Sequence, residues 1–476
     1  MDNIIKYSSS YIFALTLVLL LGCESQPETE QTATATPEKT PTSTFFQLLD
    51  STATGIGFTN QVADQNDFNI LTYRNFYNGG GVAIGDINQD GLADLYFTSN
   101  LEKNRLYLNK GDFKFEDITE QTGVAGTKSW STGATMADVN GDGWLDIYVS
   151  NSGDVAGGNK ENELFINSGT LNEEGLPTFT EQAAAYGLNN QGYSTQAAFF
   201  DYDLDGDLDC YLLNNSFKDP SRIDLYKSMR DKPDELGGDK LYRNPGSRQT
   251  GSSPGQTPRK FEDVTQEAGI YSSAIGFGLG TVIGDINQDN YPDIYVSNDF
   301  WERDYLYINQ GDGTFSEELI DRIDFCSISS MGGDMADINN DGHPEIFTTD
   351  MLAGDNYRLK AMSAFDPYHL EDMKYRANYH YQIGQNCLHL NDGTGDFQEI
   401  GMLAEVASTD WSWGALFFDF ENDGRKDLFV SNGIYRDQMY MDFRDLLANN
   451  DVYRKIALKE EVDYPELIEQ MPSNPI

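Results

Sequence analysis

The sequence predicts an all-β fold, a β-propeller of four-stranded blades, and three observations predict it. A nine-residue Asp-rich loop occurs six times, starting at Asp86, Asp138, Asp201, Asp285, Asp337 and Asp419. Short runs of β-branched and aromatic residues stand on both sides of each loop. The shortest spacing between loop starts, 52 residues, holds four such runs, which is the length and content of one blade.

The elements of the first repeat can be read in order. Gly81-Val82-Ala83-Ile84-Gly85 leads into the loop and Leu95-Tyr96-Phe97-Thr98 leads out. Arg105 to Asn109 supplies a third strand and Phe113 to Thr119 a fourth. The third strand recurs as Glu163 to Asn167, Lys240 to Asn244, Tyr305 to Asn309 and Cys387 to Asn391. Entry strands rich in Gly (Gly79-Gly80-Gly81, Gly278, Gly280, Gly332-Gly333) suit the crowded inner strands of a ring. Exit strands such as Ile147-Tyr148-Val149 and Ile294-Tyr295-Val296 are apolar at successive positions, as expected of sheets covered on both faces. A parallel β-helix would need shorter, uniform repeats.

Residues 45–58 resemble the fourth-strand segment Phe115 to Val124, which predicts an N-terminal outer strand closing the ring. The sixth repeat has no third or fourth strand of its own in the sequence, so the expectation is six or seven blades with the last incomplete. The predicted organisation is a leader over 1–22, a tether over 23–44, the propeller over 45–435 and a helical C-terminal segment over 436–476. Helical insertions are expected, with 215–240 partly helical, while 245–259 reads as a Gly/Ser/Pro loop and 352–386 as a further insertion dense in aromatics.

The loops have the chemistry of a calcium cradle. Positions 1, 3, 5 and 9 carry oxygen-bearing side chains: Asp86, Asn88, Asp90 and Asp94; Asp138, Asn140, Asp142 and Asp146; Asp201, Asp203, Asp205 and Asp209; Asp285, Asn287, Asp289 and Asp293; Asp337, Asn339, Asp341 and Glu345; Asp419, Glu421, Asp423 and Asp427. A hard cation takes six to eight oxygens, and alternate positions of a tight turn can converge on one point. Position 7 varies freely (Leu92, Trp144, Asp207, Tyr291, His343, Arg425), as expected if only its carbonyl is a ligand. Position 6 is Gly in five loops and Asn290 in the fourth, residues that tolerate the left-handed conformation a sharp turn needs. An EF-hand would require a Glu at position 12 and flanking helices. Here position 12 is Phe97, Val149, Leu212, Val296, Thr348 or Val430, so that motif is excluded. Acidic hairpins that bind nothing are the remaining alternative. Up to six Ca²⁺ ions are expected.

The formal net charge of −45 excludes nucleic acid and anionic head groups as partners, since both would be repelled. Six divalent ions would cancel 12 of those charges, leaving an acidic surface. At the N-terminus, Lys6 and an apolar run from Tyr11 to Leu21 read as a secretion signal, too short for a membrane span. The run ends in Leu20-Leu21-Gly22-Cys23, which resembles the lipobox of bacterial lipoproteins and implies a lipid anchor at Cys23. An ordinary signal peptide is the alternative. The Glu/Gln/Thr/Pro/Ser segment 24–44 cannot bury enough surface to order itself, and it could reach about 70 Å as a tether. The expected location is extracytoplasmic, at the outer membrane or cell surface. Cys210, Cys326 and Cys387 cannot all pair within one chain, so at least one should be a small buried hydrophobe.

The insertion 352–386 concentrates aromatic and polar rings. Tyr368, Tyr375, Arg376, Tyr379, His380 and Tyr381 form its candidate ligand surface, for a glycan or a protein. Packing over the channel is the bland reading of the same residues.

The strings Asn78 to Asp86, Asp410-Trp411-Ser412-Trp413-Gly414 and Ser431 to Asp437 resemble the FG-GAP/VCBS repeats of integrin-α-like propellers. The longer pattern resembles the cartilage-acidic-protein-like (ASPIC/UnbV) lipoproteins. The resemblance implies a calcium-loaded propeller at the cell surface, used for adhesion or ligand binding, with no established chemistry. Longer members carry a C-terminal ASPIC/UnbV domain, and its absence from the sequence through Ile476 leaves ring closure open.

No catalytic constellation emerges. Gly251-Ser-Ser253-Pro-Gly255 matches a nucleophile elbow by letters but sits in a flexible loop rather than between strand and helix. His343, His369, His380 and His389 lack zinc spacing. The enzymatic alternative is a lyase-like propeller acting on acidic glycans, which would need Arg376, Tyr379 and His380 to converge in one pocket.

Overall fold

The structure is a computed structural model that describes residues 46–153, 157–218, 229–246, 259–362, 367–447, 458 and 463–473. The secretion signal, Cys23, the tether and the Gly251–Gly255 string lie outside the described residues, as do most of the two stretches 219–228 and 448–462. Two units partition the chain, one ending at Leu49 and one running from Asp50 to Ile476. Of the first, only residues 46–49 are described; they are exposed and form no regular element.

Within the second unit the β-formers give five antiparallel sheets of four strands, each in meander order, and two of two strands, one antiparallel and one a parallel pairing of Cys326–Ser327 with Gln382–Ile383. Repeat 1 consists of Val82–Gly85, Asp94–Phe97, Arg105–Asn109 and Phe115–Asp117. Repeat 2 follows as Ser131–Ala137, Asp146–Asn151, Glu163–Leu171 and Pro177–Glu181, and repeat 3 as Ser194–Phe200, Asp209–Asn214, Lys240–Arg243 and Glu262–Asp263. Repeat 4 is Gly278–Gly284, Asp293–Asn298, Tyr305–Asn309 and Phe315–Glu317. Repeat 5 is Gly333–Ala336, Glu345–Thr348, Cys387–Asn391 and Phe397–Glu399, and repeat 6 is Ser412–Phe418 with Asp427–Asn432. In every repeat the Asp-rich loop joins the first strand to the second.

Both faces of the sheets are covered by neighbouring repeats. Tyr96, Leu106 and Leu108 of repeat 1 pack on Ile147, Val149 and Phe165 of repeat 2. Tyr148, Leu164 and Ile166 pack on Cys210, Leu212 and Tyr242 of repeat 3, and Tyr211, Leu213 and Leu241 on Ile294, Val296 and Tyr305 of repeat 4. Repeats 4 and 5 share Tyr295, Leu306 and Ile308 with Ile346 and Phe397. The second strands of repeats 2 to 5 are therefore buried at every residue, which explains why their sequences do not alternate.

The first strands of successive repeats lie side by side, from repeat 1 through repeat 6. Their glycines permit this approach: a Cβ on Gly133 would lie 2.5 Å from the Thr195 carbonyl oxygen, and one on Gly332 2.4 Å from that of Trp413. Hydroxyls bridge neighbouring repeats here, with Thr98 Oγ1, just after repeat 1's second strand, donating to the Thr132 carbonyl at 2.6 Å and Thr132 Oγ1 to that of Ser194 at 2.7 Å. Residues from all six first strands line one cavity of about 390 Å³.

Repeat 6 departs from the others. Among the described residues it has no third or fourth strand, as the sequence leads one to expect, and its second strand is half-exposed, with Phe429 47% accessible. The outer strand expected over 45–58 is not formed. Residues 46–50 are not extended against any sheet, and Ser51–Thr54 is a helical turn capped by Asp50 and ended by Gly55 at φ 81°. Among the described residues repeat 6 offers no third strand with which a fourth could pair. The resemblance to Phe115–Val124 does hold for the turn, since Thr119–Thr122 is also helical and ends in Gly123 at φ 75°. Gly55 abuts the Phe115 carbonyl of repeat 1 much as Gly269 abuts that of Phe315 in repeat 4.

The insertion after repeat 5's second strand forms two helices, Asn356–Met362 and Tyr368–Arg376. Met441–Leu447 and Tyr464–Glu469 are helical in the C-terminal segment, where Phe443, Ile468 and Met471 pack on Phe68, Tyr73, Phe76 and Trp130. Residues 229–239 of the earlier insertion contain turns but no helix. Cys210, Cys326 and Cys387 are all unpaired and buried. No helix among the described residues is long and apolar enough to cross a membrane.

Candidate metal centres

The six loops fold on one local hydrogen-bond plan dictated by their Asp spacing. The position-5 N–H donates to one oxygen of the position-1 Asp at 2.9–3.1 Å. The position-6 N–H donates to the other at 2.7–2.9 Å. The position-7 N–H reaches the position-5 carboxylate at 2.8–3.0 Å, which serves Leu92, Trp144, Asp207, Tyr291, His343 and Arg425 alike. Position 6 is left-handed throughout, including Asn290 at φ 72°. Position 4 is left-handed as well, at Gln89, Gly141, Leu204, Gln288, Asn340 and Asn422, which no glycine pattern announces.

Position 9 closes each loop from the second strand. One oxygen of Asp94, Asp146, Asp209, Asp293, Glu345 or Asp427 accepts the position-2 N–H at 2.9–3.2 Å. In repeats 1 to 4 the other oxygen accepts an N–H from the last Asn of the third strand, Asn109, Asn167, Asn244 or Asn309, at 2.7–2.8 Å. Burial pushes Asp94 up to about 6, Asp293 to about 7, and Asp146 and Asp209 to about 8, against the lowering effect of these N–H donors. Carboxylates at positions of the same loop (1 and 5, or 3 and 5 beside Asp209) add to the rise. Glu345 is raised for the same reasons.

The donor set fits a hard divalent cation. In repeat 3 carboxylate oxygens of Asp201, Asp203 and Asp209 all lie within 4.8 Å of one another. Oxygens that close can share one ion, since ligands at about 2.4 Å on opposite sides of it stand about 4.8 Å apart. The other loops present the same positions, with Asn or Glu at position 3.

The third-strand Asn has a second role that the sequence did not disclose. Its Nδ2 donates to the position-2 carbonyl of the preceding repeat's loop: Asn167 to Ile87 at 3.1 Å, Asn244 to Val139 at 3.4 Å, Asn309 to Tyr202 at 2.8 Å and Asn391 to Ile286 at 3.0 Å. Position 4 ties loops in the same circuit, with Gln89 donating to the Gly143 carbonyl and Gln288 to that of Gly342. The recurrence of Asn at the end of each third strand was the available signal, but its partner lies 80 to 107 residues away.

The candidate ligand surface divides into two sets. Tyr368, Tyr375, Arg376 and Tyr381 are exposed, with Tyr375 and Tyr381 stacked at 4.3 Å and Arg376 paired to Asp372 at 2.8 Å. Tyr379 and His380 are buried. The Arg230 guanidinium sits 5.1 Å from the Tyr379 ring, and Arg230 is itself paired with buried Glu302. His380 Nε2 lies 2.7 Å from the Ile323 carbonyl oxygen, and burial lowers the proton affinity of its ring. Arg376, Tyr379 and His380 thus do not face one pocket. The cleft that His380 does line contains Asp321, Asp324 and Asp396, a poor surround for an acidic sugar.

A family model described as FG-GAP-like repeat matches residues 62–149 and 285–348, which contain four of the six loops. Cartilage acidic protein 1 of Xenopus tropicalis is 30% identical over 158 residues, covering 33% of this chain and 23% of that protein. The Mus musculus protein of the same name is 26% identical over 244 residues, covering 51% of this chain and 32% of its own length. The matched stretch is thus a third or less of these relatives. A solved Agrocybe aegerita lectin that recognises non-reducing terminal N-acetylglucosamine aligns with 15% identity, 74% coverage of each chain and a TM-score of 0.40. Two stretches of the chain, residues 62–149 and 285–348, thus carry FG-GAP-like repeats, and the chain is similar over part of its length to cartilage acidic protein 1.

Proposed function

We propose that this chain is a calcium-loaded β-propeller that acts as a ligand-binding or adhesion module for a glycan or protein, held at the cell surface through Cys23. The observation that carries the reading is the common loop architecture: six Asp loops on one hydrogen-bond plan, carboxylates brought together in repeat 3, and five loops closed by a position-9 carboxylate that is essentially fully buried. Burying an ionised carboxylate beside others is costly unless a cation balances them. Positions 1, 3, 5 and 9, with the carbonyl of position 7, would hold the ion in each loop. Because the loops of repeats 1 to 4 are each tied to the next repeat, an ion there would stiffen those junctions as well as the turns. The succession of side-by-side first strands, and the seating of Gly55 on repeat 1, support closure of the repeats into a ring.

Surface presentation supports a binder over an enzyme, since the exposed Tyr375–Tyr381 stack offers an aromatic face while the imagined lyase trio is dispersed. Equilibrium dialysis with radioactive calcium tests the metal, with up to six ions per chain expected and none bound contradicting it. Glycan and protein arrays probed in calcium and again in EDTA test the module. Binding that is lost on chelation is expected; no binding in calcium would overturn the reading.

A further inference from the structure

A second cavity, of about 170 Å³, lies at the end of the first strands away from the Asp loops. Asn215 follows repeat 3's second strand, Asp299 follows repeat 4's, and Trp411 precedes repeat 6's first strand, while Arg74 and Asn75 come from a short 3₁₀ helix over Arg74–Tyr77. Three of its lining residues are almost wholly buried yet keep a polar atom without a hydrogen-bond partner. These are Asn75 Nδ2, Asn215 Oδ1 and Trp411 Nε1, on residues 3%, 2% and 3% exposed. An unsatisfied buried donor or acceptor costs about 1–3 kcal/mol, and native proteins hold few. Three around one cavity point to a bound group that satisfies them.

The walls limit what that group can be. Trp411, Trp413 and Phe300 give aromatic surface, and the Trp413 indole is fixed by its Nε1–H to the Gly433 carbonyl at 2.6 Å. Arg74 and Asp299 both line the space, so neither sign of charge is favoured there. The Arg74 guanidinium is spread over the Phe277 and Phe300 rings at 4.9 and 4.8 Å and donates to the Lys218 carbonyl at 2.9 Å. Asp299 accepts the Phe300 N–H at 2.6 Å. A volume equal to that of about five or six waters in the liquid suits one six-membered ring better than a peptide. Unpaired donors beside an unpaired acceptor match vicinal hydroxyls, and aromatic walls match the C–H faces of such a ring.

We propose that this cavity binds a single neutral, hydroxyl-rich sugar ring, with Asn75 and Trp411 donating to its oxygens and Asn215 accepting from a hydroxyl. The inference rests on the ligand-binding reading above and deepens it by naming the site and the ligand class. It places recognition on the axis of the repeats, apart from the Tyr375–Tyr381 stack.

The test is calorimetric titration of the full chain in calcium with neutral hexoses, N-acetylhexosamines and glucuronate. At least one neutral sugar should bind at one site per chain, and glucuronate at least tenfold more weakly. Trp411→Phe and Asn215→Leu should each weaken that binding about tenfold or more, whereas Tyr375→Ala should leave it unchanged. A melting curve in calcium matching wild type shows that a variant is folded, and either of the two variants suffices. The proposal is overturned if no neutral sugar binds, if glucuronate binds equally well, or if a folded Trp411→Phe or Asn215→Leu protein binds as wild type does. In each of those cases binding on the arrays in calcium would leave the module reading standing, and its absence there would remove both.

Discussion

At position 9 of the loops, a single carboxylate is where the contribution of the proposed metal can be isolated. Asp146 is fully buried, accepts Val139 N–H and Asn167 N–H, and has Asp138 and Asp142 for neighbours. Replacing it with Asn should remove one calcium site, worth about 1.4 kcal/mol at a free ion concentration ten times Kd. The loss should appear in calcium-saturated denaturation curves and vanish in EDTA, where neither protein has an ion bound. A different buried carboxylate gives the pH dependence. Burial pushes Asp304 up to about 7 from 3.8, against hydrogen bonds from Tyr295, Asn298 and Ser330. The folded protein therefore keeps that proton to higher pH than the unfolded chain does. The resulting stability is full below about 3.8 and is lost as pH rises through about 7. Urea denaturation of wild type and Asp304→Asn in saturating calcium should show the difference shifting against wild type between pH 5 and 8. A constant difference would refute the assignment.

Strands and loops differ in how openly the sequence declares them. The loops were legible because their bonds span at most seven residues, so Asp and Gly spacing alone fixes them. The strands were legible because β-formers recur between those loops. What escaped was set by distant partners: the Asn309 amide reaching Tyr202, the burial of Tyr379 beneath Arg230, and the failure of residues 46–50 to find a strand to pair with. Asn309→Ala removes two donated bonds and the one it accepts from Gly311 N–H. At about 1 kcal/mol each, the variant should lose roughly 2–3 kcal/mol in chemical denaturation. Two glycines separate close approach from conformational freedom. A Cβ at Gly332 would collide with the Trp413 backbone of the next repeat, so Gly332→Ala should cost roughly 1–3 kcal/mol or more. Gly91 has open space but φ 86°, so Gly91→Ala should cost only the strain of a left-handed alanine, about 1–2 kcal/mol.

Over the whole molecule, the inter-repeat ties link the loops of successive repeats, whose first strands lie side by side. The proposed recognition sites lie apart from the loops, at the cavity bounded by Asn75, Asn215 and Trp411 and on the exposed Tyr375–Tyr381 face. The metal would then be structural rather than catalytic, and its weight can be estimated. Six sites at about 1.4 kcal/mol each give roughly 8 kcal/mol, which is on the order of a domain's entire stability. Scanning calorimetry of the same protein in millimolar calcium and in excess EDTA tests this most directly. The account predicts a steep fall in Tm on chelation that added calcium reverses; an unchanged melt would contradict it.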